Sequence, residues 1–269
     1  MELKKRIPTA LVLLTVVFIS VQYFPRLGFF LILQAIILAA LIEFYNLPRK
    51  KSFFPARFLG VVIAALISLS FYFEEISLAV AIFISFLISG FYYILAINRL
   101  EKLVQFPSSI SLTFFGALYL CFTLNYLFLI REEQGAFAIY FLLAVIFIGD
   151  TGAYIIGKSL GKHPYVPMAS PRKTWEGSIG GIIFACLGGV AVQQILFQDK
   201  PMWKFVLFAF LIHTIAQVSD PLESLFKRAV GIKDSSKILP GHGGFLDRID
   251  SLILASPLFY YLIQVLGMD

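Results

Sequence analysis

A chain of 269 residues with 59% hydrophobic residues, 29 Phe and only 14% charged residues, at a mean hydropathy of +0.87, is too apolar for a soluble domain with a hydrated surface. The expected fold class is all-α, a polytopic integral membrane protein. Its formal net charge of +6 is expected to lie along the membrane surface, with the lipid bilayer rather than nucleic acid as the partner.

A spanning helix needs about 20 apolar residues, because the hydrocarbon core is about 30 Å thick and each helical residue rises about 1.5 Å. By that ruler spans are predicted near residues 7–24, 28–46, 56–73, 76–98, 107–130, 136–157, 177–197, 203–219 and 251–267, about nine in all. The first begins like a signal peptide, but no small-x-small cleavage site follows, so it reads as a first membrane helix. Basic residues test the assignment, since Lys and Arg collect on cytoplasmic loops. All of the 22 Lys and Arg except Arg26, Arg131, Lys200 and Lys204 fall on one set of alternate loops, Lys4, Lys5, Arg6 and Lys50 among them. This predicts a cytoplasmic N-terminus, an outer C-terminus, and cytoplasmic loops at 158–176 and 220–250. Cys121 and Cys186 both fall inside spans and read as packing residues.

The chain divides in character rather than at a linker. Residues 1–135 read as a hydrophobic scaffold, and residues 136–269 as the region that carries chemistry. In "GDTGAYIIGKSLG" (149–161), Asp150 lies about eight residues inside a helix end, roughly 12 Å deep at helical rise. A carboxylate there costs about 2.5–3.5 kcal/mol, so it either hydrogen-bonds between helices or lines a polar cavity. In "SPRKTWEGSIGG" (170–181), Lys173 and Thr174 sit just before a helix expected to start at Trp175. Phosphate binding at that N-terminus and plain positive-inside charge with Thr174 as an N-cap are both open. Gly177, Gly181, Ala185 and Gly188 form a stripe suited to close helix packing.

Next comes "SDPLESLFKRAVG" (219–231). Asp220 suits an N-cap, Pro221 the first helical position and Gly231 a C-terminal stop, which predicts a separate short helix over 221–230. Asp220, Ser224, Lys227 and Arg228 would fall on or near one face of it; the alternative is a merely solvated helix, on which Glu223 and Lys227 make a surface pair. The polar run continues through Lys233, Asp234, Lys237, His242, Asp247, Arg248 and Asp250. Aspartates of this kind bind hard cations such as Mg²⁺ together with substrate phosphates, and Lys and Arg take phosphate oxygens. Gly243 and Gly244 allow close backbone approach. The inventory suits a metal-plus-phosphate site at the membrane surface.

The stretch "SLFKRAVGIKDSSKILPGHGGFLDRID" (224–250) resembles the signature of the phosphatidate cytidylyltransferases, or CDP-diacylglycerol synthases, without a gap. "SPRKTWEGSIGG" and "GDTGAYIIGKSLGKHP" are similar to that family's preceding segments, so the likeness covers about residues 149–250. Where the family pattern has Gly before and Leu after the aspartate matching Asp220, this chain has Ser219 and Pro221.

The resemblance implies CTP plus phosphatidate giving CDP-diacylglycerol and pyrophosphate, with Mg²⁺ required and a second cation as a further candidate, at the inner membrane, by a homodimer. On that reading Asp220 and Asp247 are expected metal ligands, with Asp250 and Asp150 as further candidates. Lys227, Arg228, Lys233, Arg248 and Lys173 are expected to hold phosphates, with Thr174, Gly243 and Gly244 beside them. Ser224 would orient one phosphate, and His242 would either donate to a phosphate or shape its turn. The alternative from another class is a transporter of an anionic metabolite, which would also pair a buried Asp with basic loops.

Overall fold

The computed structural model describes residues 2–268, with side chains from residue 8 onward apart from Lys50. The side chains of Lys4, Lys5, Arg6 and Lys50, counted among the basic residues above, lie outside the described ones. The chain forms two compact units, one of residues 1–128 and 234–248, the other of residues 129–233 and 249–269. Residues 234–248, which belong by sequence to the C-terminal region, thus fold with the N-terminal helices.

The first unit holds α1 (Glu2–Tyr23), α2 (Arg26–Asn46), α3 (Arg57–Tyr72), α4 (Leu78–Ala96) and α5 (Leu100–Ala117), the last running into a π-helical turn over Leu118–Phe122. Small residues let large rings in: a Cβ on Gly60 or Gly116 would collide with the Tyr45 ring, whose hydroxyl donates to the Thr113 carbonyl at 2.6 Å. A polar chain crosses the apolar interior. Gln34 donates to Asn125 Oδ1 at 2.7 Å, and Asn125 donates to Ser68 Oγ at 3.0 Å and to the Cys121 carbonyl at 2.6 Å. In hydrocarbon such groups must satisfy one another, and doing so ties helices together. The first half is therefore less featureless than its hydropathy.

In the second unit, which begins at Leu129 within α6 (Tyr126–Gln134), that helix leads into α7 (Ala136–Leu160). A short antiparallel hairpin of β1 (Pro164–Val166) and β2 (Ser170–Thr174) follows, then α8 (Trp175–Leu196), α9 (Met202–Ala229) and α10 (Leu246–Leu266), whose first turn lies in the first unit. The glycine stripe packs as expected: a Cβ on Gly177 would come within 2.9 Å of the Ala153 carbonyl and 3.0 Å of Gly157 Cα. Cys121 and Cys186 are both free thiols.

Among the described residues, seven helices are long and apolar enough to span a membrane, which supports a polytopic membrane protein and leaves the expected count of nine unconfirmed. The third predicted span corresponds to Arg57–Tyr72, which is apolar but shorter, and the first falls on α1, whose described side chains form the apolar stretch Pro8–Tyr23. The 16 residues of Arg57–Tyr72 rise only about 24 Å, less than the hydrocarbon thickness. The break expected at Asp220 is absent: α9 runs unbroken from Met202 to Ala229 with Pro221 inside it. Proline lacks the amide that would serve the carbonyl four residues back. Here that carbonyl, on Gln217, instead accepts the Tyr165 hydroxyl at 3.3 Å, so the helix survives its proline.

Candidate active site

In the second unit, α7, β2, α8 and α9 enclose a cavity of about 740 Å³. Asp150, Tyr154 and Lys158 enter its wall from α7, Arg172, Lys173 and Thr174 from β2, Ser178 from α8, and Gln217 and Asp220 from α9. Each is aimed by a local device. Thr174 caps α8, its Oγ accepting the Gly177 amide at 3.2 Å, which fixes the helix start at Trp175 as its sequence predicts. Gln217 and Ser178 grip each other, the Ser178 hydroxyl donating to Gln217 Oε1 and the Gln217 amide donating to the Ser178 carbonyl at 3.0 Å.

The centre of the wall is an ion pair. Lys173 Nζ lies 2.5 Å from Asp220 Oδ2, with the two side chains 34% and 29% exposed. Ser224 Oγ is 3.5 Å from Asp220 Oδ1, at the limit of a hydrogen bond. Lys158 sits over the Tyr154 ring at 5.7 Å. Three cations and two carboxylates line this cavity, so it favours an anion while keeping hard oxygen donors for a cation.

The rest of the predicted α9 face is spent otherwise. Lys227, expected to grip phosphate, is 6% exposed and paired with Glu223 Oε2 at 2.5 Å. The alternative of a solvated surface pair also fails, since both side chains are buried on an α9 that continues past Pro221. Arg228 donates from Nε to the Ala169 carbonyl at 3.1 Å and from Nη1 to the Ile232 carbonyl at 2.9 Å, bracing the β1–β2 turn against the end of α9. Lys233 is exposed. Asp250 is half-buried, its Oδ1 accepting the Ser251 amide at 2.7 Å and its main-chain carbonyl accepting the Ser219 hydroxyl. Ser219 Oγ also accepts the Leu254 amide at 3.3 Å, a role for which the glycine of the family pattern has no atom.

In the first unit, residues 234–248 form a loop wound around two carboxylates. Asp247 is 8% exposed. Its Oδ2 accepts the Ser235 amide at 2.9 Å, the Ser235 hydroxyl at 2.9 Å and the Gly244 amide at 2.8 Å. Glu43, in the last turn of a predicted span, accepts from the same loop. The glycines approach these carboxylates: Gly243 has φ +80° and its missing Cβ would meet Asp247 Oδ2, and that of Gly244 would meet Ser235 Oγ and Glu43 Oε2. His242 Nδ1 lies 3.4 Å from the Pro240 carbonyl, within its own turn, and Arg248 is exposed.

Lys173, Thr174, Asp150 and Asp220 thus share one cavity wall, and His242, Gly243, Gly244 and Asp247 share one loop. Sequence reasoning missed Tyr165, Ser178, Gln217 and Glu43. Glu43 had a signal of the same kind as Asp150, an acidic residue inside a predicted span. Among the described residues no group of three or more His, Cys, Asp or Glu side chains forms a ready-made metal cage.

A model of the cytidylyltransferase family matches residues 4–266 of this chain. Phosphatidate cytidylyltransferase of Bacillus subtilis (strain 168) is 30% identical over 269 residues, covering 98% of each chain. The protein of the same name from Brucella suis biovar 1 (strain 1330) is 33% identical over 261 residues, covering 96% of this chain and 92% of its own. That from Staphylococcus saprophyticus is 34% identical over 190 residues, 71% of this chain and 70% of its own.

Proposed function

This chain belongs to the cytidylyltransferase family, a CTP-dependent nucleotidyltransferase, and from that membership we propose that it transfers the cytidylyl group of CTP to phosphatidate, giving CDP-diacylglycerol and pyrophosphate. The full-length likeness to relatives named phosphatidate cytidylyltransferase supports the lipid substrate. The family membership sets aside the transporter alternative. The single observation that carries the chemistry is the Lys173–Asp220 pair in the wall of a cavity that also holds Asp150, Lys158 and Arg172.

A phosphate monoester has a second pKa of about 6, so the lipid phosphate is largely dianionic at neutral pH and serves as its own nucleophile. One of its oxygens forms a bond to the α-phosphorus of CTP, and the α–β bridging bond breaks in line, releasing pyrophosphate. No general base is called for. The protein's task is to hold two polyanions together. Lys158, Arg172 and Lys173 bind phosphate oxygens, with Lys173 exchanging Asp220 for substrate. Gln217 and Ser178, locked to each other, keep that part of the wall in one shape.

The donor set fits Mg²⁺, which binds through one or two carboxylates plus substrate phosphates and does not need an all-protein cage. Asp220 is the proposed ligand in the cavity, with Asp150 beside it, and Asp247 is the proposed ligand from the loop. A cation held at either place would supply neutralisation of the triphosphate and of the leaving pyrophosphate. A second cation, a homodimer, a cytoplasmic N-terminus with the site on the cytoplasmic face, and residence in the inner membrane are parts of the same proposal, supported by the sorting of Lys and Arg onto alternate loops.

The test is turnover by detergent-purified protein with phosphatidate, Mg²⁺ and each of the four nucleoside triphosphates, beside Asp220→Asn. Liponucleotide and pyrophosphate from CTP alone, lost in the variant, are expected. Folded protein that yields no product with any nucleotide overturns the reading.

A further inference from the structure

Glu43 lies on α2, within the half of the chain whose composition suggests only scaffold, and is 2% exposed. A carboxylate buried at that depth is costly unless donors surround it. Among the described residues, its donors all come from the loop of residues 234–248. Oε1 accepts the Ser236 hydroxyl at 2.7 Å and the Phe245 amide at 3.2 Å. Oε2 accepts the Leu246 amide at 2.9 Å and lies 2.9 Å from the Ser235 hydroxyl. Phe245 and Leu246 stand at the entry to α10, where main-chain amides lack helical acceptors. One carboxylate therefore fastens both ends of the "SSKILPGHGGFL" segment (235–246).

Ser235 joins this fastening to Asp247. Its Oγ is 2.9 Å from Glu43 Oε2 and 2.9 Å from Asp247 Oδ2, and its amide binds Asp247 as well. Gly244 passes between the same groups so closely that a Cβ there would land on Ser235 Oγ and Glu43 Oε2. An apolar residue at position 43 would fill space equally well, but it would give the loop no acceptor to close upon.

We infer that Glu43 is a positioning residue for nucleotidyl transfer, acting through Ser235 and the loop amides to hold the Asp247 carboxylate and the His242–Gly244 turn in their working shape. The inference rests on the reaction proposed above and on Asp247 taking part in it. Glu43→Gln keeps the volume and one carbonyl oxygen but turns a donor toward the loop. Misplacing a catalytic group by about 1 Å costs about a hundredfold in rate. Glu43→Gln is therefore expected to lower kcat about tenfold to a hundredfold and to raise the Mg²⁺ concentration for half-maximal activity, while its melting temperature in detergent stays close to wild type. Glu43→Ala is expected to be worse, with Gln as the partial rescue.

Ser236→Ala removes one donor and leaves the carboxylate in place, so it should shift kcat in the same direction by less. It also decides the matter if the Glu43 variants do not fold. Wild-type kcat and an unchanged Mg²⁺ curve in Glu43→Gln, or in Ser236→Ala where only that variant folds, overturn the inference. So does a loss that vanishes when activity is normalised to folded protein. Absence of product from the wild-type protein overturns the underlying reaction instead.

Discussion

The Tyr165 hydroxyl occupies the carbonyl of Gln217 at 3.3 Å, four residues before Pro221, where a helical amide would otherwise donate. A hairpin residue thereby completes a helix. Leaving such a carbonyl unmet costs about 1–3 kcal/mol. Tyr165→Phe should therefore destabilise the protein by about that amount, whereas in a Pro221→Leu background, where the amide is restored, it should cost nearly nothing. Denaturation of the four proteins in a double-mutant cycle reads the coupling directly. Equal cost in both backgrounds would show that Tyr165 does not stand in for the missing amide.

Lys173 and Asp220 are both partly exposed, so their pair is expected to add no more than about 1 kcal/mol to stability. Their weight should appear in turnover. Lys173→Met should keep its fold and lose at least about tenfold in kcat/KM for CTP, and Asp220→Asn should lose more. A melting curve shifted strongly by either change, with turnover intact, would make the pair structural.

Lys227 and Glu223 behave oppositely. Removing one partner of a buried pair costs about 3–5 kcal/mol, while replacing both with apolar residues is often neutral. Lys227→Met is expected to unfold more readily, and Lys227→Met with Glu223→Leu to recover much of the loss. A normal melting temperature with a raised KM for CTP in Lys227→Met would return this lysine to the phosphate-binding role.

Glycine positions separate strain from function. Gly231 and Gly243 both have positive φ, +75° and +80°, but a Cβ at Gly231 meets open space and one at Gly243 meets Asp247 Oδ2. Gly231→Ala should cost about 1 kcal/mol of stability and leave turnover per folded molecule unchanged. Gly243→Ala should reduce turnover per folded molecule as well. Identical activity in the two variants would argue that the loop tolerates displacement.

Chelation should abolish turnover, and added Mg²⁺ should restore it. Because no three-residue cage exists among the described residues, the melting temperature without nucleotide should barely move on chelation. A large drop would mean that a tightly held ion is structural.

The sequence made the local features legible and the distant ones obscure. Thr174 before Trp175 is a cap that acts over three residues, and the Gly177–Gly181 stripe is a pattern on one helix; both stand as read. The break at Asp-Pro was a sound local inference defeated by Tyr165, which reaches a carbonyl 52 residues away, on Gln217. Lys227 looked free because its depth depends on α9 continuing past that proline. Glu43 carries the mark of a functional residue, an acid among apolar neighbours, but its partners lie so far along the chain that no pattern links them.

That distance has a meaning for biogenesis. Glu43 and Ser235 are separated by 192 positions, Glu43 and Leu246 by 203. A ribosome delivers the carboxylate early and its acceptor-seeking loop almost last. Until α10 emerges, the nascent protein carries an anion in an apolar helix with none of these four donors. The loop can close only on a nearly finished chain, so a truncated or stalled product is expected to be inserted yet unable to assemble its loop.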